Sequence, residues 1–338
     1  MSHDVVLSVR NLSVVFHTPD GDVAAVSGVS FDLRSGETLG IVGESGSGKS
    51  VTASSILRLN NSSTASTTGS ILVSGVDVLT ADESEVRRIR GSEVAMIFQD
   101  PLSALNPYYT VGKQISEAYL VHHSDASKAE ARSVTLEMLK KVGIPNPEKR
   151  IDEYPHQFSG GMRQRIVIAI ALINNPKVLI ADEPTTALDV TVQAQILDLM
   201  KELQAEFNMA IVLITHDLGV IAESAKDVLV MYGGRIVERS TVDALFSEPT
   251  HPYAWGLLGA VNSLESSGRG ALVTIAGSPP SLIALPSGCA FNPRCAYASD
   301  ICRTDVPTLR VVGSQGSIAA CHLEDDQILL LGRTAASR

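Results

Sequence analysis

The eight residues from Gly43 to Ser50, "GESGSGKS", constrain this chain more than any other stretch. They fit the pattern G-x-x-x-x-G-K-[ST]. The run before them, "ETLGIVG", reads as a buried strand, and the run after them, "VTASSILRL", reads as a helix. In that setting a glycine-rich turn lets backbone N–H groups wrap a phosphate at a helix N-terminus. Gly43, Ser45, Gly46, Ser47 and Gly48 supply the wrapping backbone, Lys49 reaches the outer phosphates and Ser50 is placed to ligate magnesium. A glycine-rich turn without a ligand is the weaker reading, because the flanking strand and helix are those the mechanism requires.

The rest of the chain reads as α/β. From Val5 to Leu33 short apolar and polar runs alternate around "TPDGD", which predicts antiparallel strands. "NNSSTASTTG" reads as a polar, low-complexity loop. Between Pro101 and Gln157 the pattern turns helical, with Val134, Met138 and Val142 four residues apart on one face, and a helical subdomain over about 101–165 is expected. "KVLIADE" and "MAIVLITHD" are apolar runs of strand length, each preceded by helix-like sequence, the alternation of a mostly parallel sheet. "DVLVMYGGRIVE" reads as a hairpin around Gly233 and Gly234, and "HPYAWGLLGAV" as a helix. The Pro- and Gly-rich "GSPPSLIALPSG" then leads to a cysteine-bearing tail. The expected division is a nucleotide-binding domain over 1–250 and an extension over 251–338.

Composition narrows the classes. Of 338 residues, 44% are hydrophobic, enough for a substantial core, and the formal charge of -10 opposes a broad nucleic-acid footprint, which needs clustered Lys and Arg. "EVRRIR" reads as a solvated helix face. The longest apolar run, "IVIAIALI", and shorter ones such as "VLIA" fall short of the roughly 18–20 residues that cross a bilayer. The N-terminal "MSHDVVLSVRN" does not read as a secretory signal. A cytosolic location is expected.

Two further motifs carry chemistry. "KVLIADEP" ends an apolar strand in Asp182 and Glu183, where one carboxylate can hold magnesium and the other polarise water. Alone, such a pair is most often a solvated turn; beside a phosphate loop it makes a hydrolysis site. "FSGGMRQR" places Ser159, Gly160 and Gly161 before a helix, a second anion-binding N-terminus in a chain that already has one. A second such end suggests service to another chain's nucleotide.

The phosphate loop, Gln99 in "MIFQDP", "FSGGM", "LIADE", "ALD" (Ala187 to Asp189) and His216 in "LITHD" stand in the order of an ABC-type ATP-binding subunit. Over roughly residues 5–250 the chain resembles that family. Phe158 stands where Leu is commoner, on the apolar side of the signature. "VGESGSGKS", "FQDPLSALNP", "HPYAWGLL" and "GSPPSL...GCAFNPRC" are similar to the dipeptide and oligopeptide importer branch, which extends the resemblance to Cys321.

That resemblance implies an ATP sandwich, with the phosphate loop of one subunit facing the signature of another. Ser50, Gln99 and Asp182 would arrange Mg2+ and water, Glu183 would be the general base, and His216 would contact the γ phosphate. Ser159, Gly160 and Gly161 would act in trans, and Asp189 would communicate across the interface. Phe16 is the candidate for stacking on adenine, with burial in the core as its alternative. Implied partners are a second, different ATP-binding subunit, two permease subunits and, indirectly, an extracytoplasmic peptide-binding protein, at the cytoplasmic face of the membrane. A soluble ABC protein acting on DNA or ribosomes fits less well, since those chains usually carry two cassettes or a long coiled coil. An importer of another solute such as nickel is disfavoured only by the tail.

The tail holds all four cysteines, Cys289, Cys295, Cys302 and Cys321, with five, six and eighteen residues between them. A segment with so little core of its own could be organised by a metal centre. Structural zinc sites typically use closer pairs, C-x₂₋₄-C, and this stretch has none. The expectation is one [4Fe-4S] cluster, to which the importer branch also points, with Zn2+ as the rival and unligated thiols or a disulfide as further alternatives.

Overall fold

A computed structural model describes residues 4–100, 104–186, 188–265, 275–313 and 315–336. Residues 101–103, within "FQDPLSALNP" and at the start of the expected helical segment, and Ala187 of "ALD" lie outside the described residues.

Among the described residues the strands are β1 (Val5–Thr18), β2 (Gly21–Arg34), β3 (Thr38–Val42), β4 (Ala65–Val73), β5 (Val76–Asp77), β6 (Val94–Ile97), β7 (Val178–Asp182), β8 (Ala210–Thr215), β9 (Asp227–Tyr232), β10 (Arg235–Thr241), β11 (Arg310–Val312) and β12 (Ser317–Ala319). The chain divides into two compact units. One comprises Met1–Ser8, Asp32–Glu37 and Leu72–Val212, and the other Val9–Phe31, Thr38–Ile71 and Leu213–Arg338.

In the first unit β6 and β7 pair in parallel, Val94 opposite Val178 through Ile97 opposite Ala181. All five residues of β7 are buried, as expected of a parallel strand covered on both faces. Its longer helices start at side-chain caps. Thr110, Ser127, Ser159 and Asp189 each accept a hydrogen bond from the backbone N–H three residues on, which satisfies a donor that the helix cannot. "IVIAIALI" lies in and just past the helix Gly160–Leu172, where Ile166, Ile168, Ala169 and Leu172 are fully buried. Among the described residues no helix is long and apolar enough to cross a membrane. On the helix Lys128–Lys141 the buried face is Ala131, Thr135, Met138 and Leu139. Val134 sits at its edge and Val142 caps its end, so the face is wider than the four-residue spacing implies.

In the second unit the predicted antiparallel run is a long hairpin. Asn11 N–H donates to Ser30 Oγ at 2.8 Å and Gly28 N–H to Ser13 Oγ at 3.0 Å, tying β1 to β2. Half of the expected polar loop "NNSSTASTTG" is in fact strand, because β4 begins at Ala65 and lies beside β1. Its threonines are β-branched and favour extended backbone once a partner strand is present, which composition alone does not reveal. β3 pairs in parallel with β9, and β9 turns at Gly233 and Gly234 into antiparallel β10, as expected. The tail then extends this layer, with β12 antiparallel to β10 and β11 antiparallel to β12. A small core of Trp255, Val312, Ala319 and Ile328 backs those two strands. The helix Pro252–Glu265 contains the expected "HPYAWGLLGAV" from its second residue.

Candidate active site

In the second unit, β3 runs straight into the phosphate loop, and the helix Lys49–Ile56 leaves it. Gly48 is the helix N-cap at φ 100°, and a Cβ there would lie 2.5 Å from the Ala25 carbonyl oxygen, so only glycine fits this turn. Lys49 is 6% exposed. Its Nζ donates to Gly43 O at 2.7 Å, Glu44 O at 3.0 Å and Ser47 Oγ at 3.4 Å. All three acceptors are oxygens of the loop itself, so the ammonium group is held inside a curl of backbone of the kind that takes phosphate oxygens. Ser47 N–H donates to Glu44 O at 3.2 Å, and Gly234 N–H donates to Ser47 O at 3.1 Å, which pins the curl to the β9–β10 turn. Ser45, Gly46 and Ser50 are exposed at its mouth.

His216, just past β8, is exposed, while Asp217 behind it caps the helix Leu218–Ser224 through bonds from Gly219 N–H and Val220 N–H. Phe16 is half-buried in β1.

In the first unit Asp182 ends β7 at 6% exposure, with Glu183 next. Glu183 has φ 49°, in the left-handed region, which costs a residue with a Cβ about 1–3 kcal/mol and tends to mark functional positions. Gln99 Nε2 donates to Glu183 Oε2 at 2.9 Å, and Thr186 Oγ1 donates to the same oxygen at 2.9 Å. Gln99 and Glu183, 84 residues apart in sequence, are thus brought together. Thr186 was not among the expected residues. Its only sequence signal is a hydroxyl three positions after the acid in "DEPTT".

Also in this unit, Ser159 caps the helix Gly160–Leu172 and, like Gly160, is exposed. The first N–H groups of that helix therefore face outward with positive partial charge. Gly161 is held by a close approach, since a Cβ there would lie 2.6 Å from Val192 Cγ1. Phe158 is 3% exposed with Arg150 over its ring at 5.5 Å, so the residue that departs from the commoner Leu is on the apolar side. Asp189 is exposed and caps the helix Val190–Phe207 by accepting from Val192 N–H at 3.0 Å.

In the tail, Cys289, Cys295, Cys302 and Cys321 are free thiols and line one cavity with His251 and His322. Cys289 N–H donates to Cys302 O at 2.9 Å. Burial pushes the thiols of Cys295 and Cys321 up to about 11, and raises that of Cys289. The thiolate that binds a metal is therefore disfavoured unless the metal itself displaces the proton. The expectation of a formed [4Fe-4S] or Zn2+ site is not supported. Among the described residues no group of three or more His, Cys, Asp or Glu side chains is set to hold a metal ion. The cavity measures about 20 Å³, close to the ~10–15 Å³ that one water needs and too small for four irons with their sulfides. The donor chemistry suits a thiolate-held group; the room, as it stands, does not.

Residues 26–186 match the ABC transporter family, and residues 237–302 match the oligopeptide/dipeptide transporter C-terminal region. The Oligopeptide transport ATP-binding protein OppD of Salmonella typhimurium is 50% identical over 326 residues, 96% of this chain and 96% of that protein. The Dipeptide transport ATP-binding protein DppD of Bacillus subtilis is 52% identical over 323 residues, 95% of this chain and 96% of that protein. Among solved structures, a dimeric ATP-binding cassette in a post-hydrolysis state, bound to ADP and Pi, superposes with a TM-score of 0.62 at 27% identity. The match covers 70% of this chain and 98% of that one.

Proposed function

The chain belongs to the ABC transporter family, among the oligopeptide and dipeptide transport ATP-binding proteins, and from that premise we propose that it pairs with a second, different ATP-binding subunit and two permease subunits to drive peptide import. The observation that carries this reading is that one chain matches both the cassette family and the peptide-transporter C-terminal region, and aligns along 96% of its length with a relative named for oligopeptide transport. A chain of this family is an ATPase coupled to transport, and its place is the cytoplasmic face of the membrane.

The roles are those the family resemblance implies, on residues whose chemistry suits them. Lys49 and the amides of Gly43, Ser45, Gly46, Ser47 and Gly48 bind the phosphates. Ser50, Gln99 and Asp182 arrange Mg2+ and water, Glu183 accepts the water proton, and His216 contacts the γ phosphate. What supports the base assignment is the carboxylate of Glu183, oriented by donors from Gln99 and Thr186. Exposed Ser159 and Gly160, with Gly161, serve a partner's nucleotide, and exposed Asp189 communicates with that partner. Phe16, being half-buried, retains surface for an adenine ring. The division of labour lies near residue 250, with nucleotide chemistry before it and the extension after it.

For the tail we propose an iron-sulfur group, on the donor chemistry of four thiols that are separated in sequence and line one cavity. Loading would require that cavity to widen. Iron, sulfide and zinc analysis of anaerobically purified protein decides it: about four irons per chain supports the cluster, and metal-free protein with four alkylatable thiols ends the proposal.

The partner reading is tested by tagging this chain and purifying it from detergent-solubilised membranes. Recovery of two permease chains and one further cassette chain is the expected result. A cassette that purifies only with itself, and from the soluble fraction, contradicts it.

A further inference from the structure

Glu44, the second residue of the phosphate loop, is tied to the C-terminal extension from two sides. Its carboxylate faces Arg294, whose Nη1 donates to Glu44 Oε2 at 2.5 Å and whose Nη2 donates to Glu44 Oε1 at 3.1 Å, a bidentate pair. Its backbone N–H donates to Tyr253 Oη at 2.8 Å. Its carbonyl receives Ser47 N–H and Lys49 Nζ. The loop's shape at Glu44 is therefore set by the extension as much as by the loop itself.

Arg294 is built to hold still. The remaining three of its five N–H donors go to Ala276 O at 2.9 Å, Ile275 O at 3.3 Å and Tyr232 Oη at 3.3 Å. Its side chain is 5% exposed, against 27% for Glu44. Tyr232, Tyr253 and Phe291, all buried, pack tilted or edge-on to one another with ring centroids 4.6–5.4 Å apart, and Arg294 lies over the Tyr232 and Phe291 rings at 5.9 and 6.0 Å. Pro279 and Pro280 of "GSPPSL" line the same cleft as Glu44, Ser45, Gly46 and Ser47. A buried arginine offsets its desolvation only when its donors are well placed, and here all five are.

We propose that Arg294 and Tyr253 are positioning residues of the ATP site, holding the phosphate loop through Glu44 so that nucleotide affinity depends on the extension being in place. Two effects combine. Arg294 neutralises a carboxylate that would otherwise stand beside the incoming triphosphate, and Tyr253 fixes the direction of the Glu44 peptide. Both act on the bound nucleotide before and during hydrolysis, so they bear on KM more than on kcat. The proposal rests on the reading of Gly43–Ser50 as the nucleotide site.

The test is titration of the full-length chain with a fluorescent ATP analogue and Mg2+, joined to steady-state hydrolysis in the transporter complex. Arg294→Gln is expected to raise Kd and KM about tenfold and to leave kcat within about twofold, with Arg294→Lys intermediate because it keeps the charge and loses the fork. Tyr253→Phe keeps the ring and removes the acceptor, and is expected to raise Kd about threefold. Arg294→Gln with Glu44→Gln is expected to recover most of the affinity, since the uncompensated carboxylate is gone. Wild-type Kd in folded Arg294→Gln, or a double variant no better than the single, overturns the proposal. Should Arg294→Gln fail to fold, wild-type Kd in Tyr253→Phe overturns it alone. Lys49→Ala separates the two levels. Unchanged nucleotide binding there refutes the loop assignment itself, whereas loss there with wild-type binding in Arg294→Gln and Tyr253→Phe refutes only the positioning role.

Discussion

The carboxamide of Gln99 donates to Glu183 Oε2 at 2.9 Å, the same oxygen that receives the Thr186 hydroxyl. Two donors on one carboxylate oxygen fix the orientation of the group. Glu183→Gln keeps the size and an acceptor oxygen while removing the proton acceptor. Hydrolysis under single-turnover conditions is expected to fall by about 10²-fold or more, with ATP affinity unchanged within error. Thr186→Val, which loses one orienting donor, is expected to cost about tenfold or less in the same assay, a smaller effect because it acts through Glu183.

Dimerisation is the second expectation. Ser159 and Gly160 are exposed at the start of a 13-residue helix, and an anion-binding end that serves a partner's nucleotide is idle in a monomer. The isolated chain is expected to hydrolyse ATP poorly, because its signature completes a site on a partner subunit, and added partner cassette is expected to raise the rate. Specific activity that stays high and constant on dilution to a demonstrated monomer, shown by light scattering, contradicts the assignment.

Gly161 offers a stability test in the same helix. A Cβ at this position meets Val192 Cγ1 at 2.6 Å, and valine is stiff at χ1. Gly161→Ala is expected to destabilise the first unit by about 1–3 kcal/mol, despite alanine's better helix propensity. Thermal denaturation checks this, and a raised Tm would show that the helices yield without cost.

A pH effect follows from two buried neighbours in the second unit. Glu238 is fully buried, both its oxygens accept from Thr250 N–H at 3.0 Å, and burial raises its carboxyl from 4.5 to about 7. Because its folded value lies above its unfolded one, its stabilisation is complete below about pH 4.5 and is lost as pH rises through about 7. Burial lowers His251 from 6.5 to about 3, so its contribution has the opposite sign, present above pH 6.5 and lost towards 3. Between these limits the two slopes oppose each other. Glu238→Gln removes one of them, so the Tm of the variant relative to wild type is expected to rise between about pH 5 and about pH 7.5. A difference independent of pH would place the Glu238 transition elsewhere.

The phosphate loop, the acidic pair and the helix start at Ser159 are legible in the sequence because each works through a few consecutive residues whose types dictate local backbone. Gly48 must be glycine for its own turn, and Ser159 caps its own helix. The salt bridge between Glu44 and Arg294 spans 250 residues and leaves no periodic trace. β11 and β12 are three residues each, too short to show alternation. The strand in "STASTTG" was hidden for a different reason: its composition is that of a loop until β1 supplies a ladder for it. At the cysteines, sequence foresaw the meeting of four thiols but not how little room lies between them.

Peptide accumulation in sealed proteoliposomes tests the central claim most directly, using the complex that co-purifies with this chain and ATP supplied on the side this chain faces. Uptake of a labelled short peptide is expected to require ATP, and to fall by about tenfold or more when Lys49→Ala replaces the wild-type chain. Uptake at the wild-type rate with Lys49→Ala, or ATP-driven accumulation of a metal ion such as nickel with none of peptide, would contradict it.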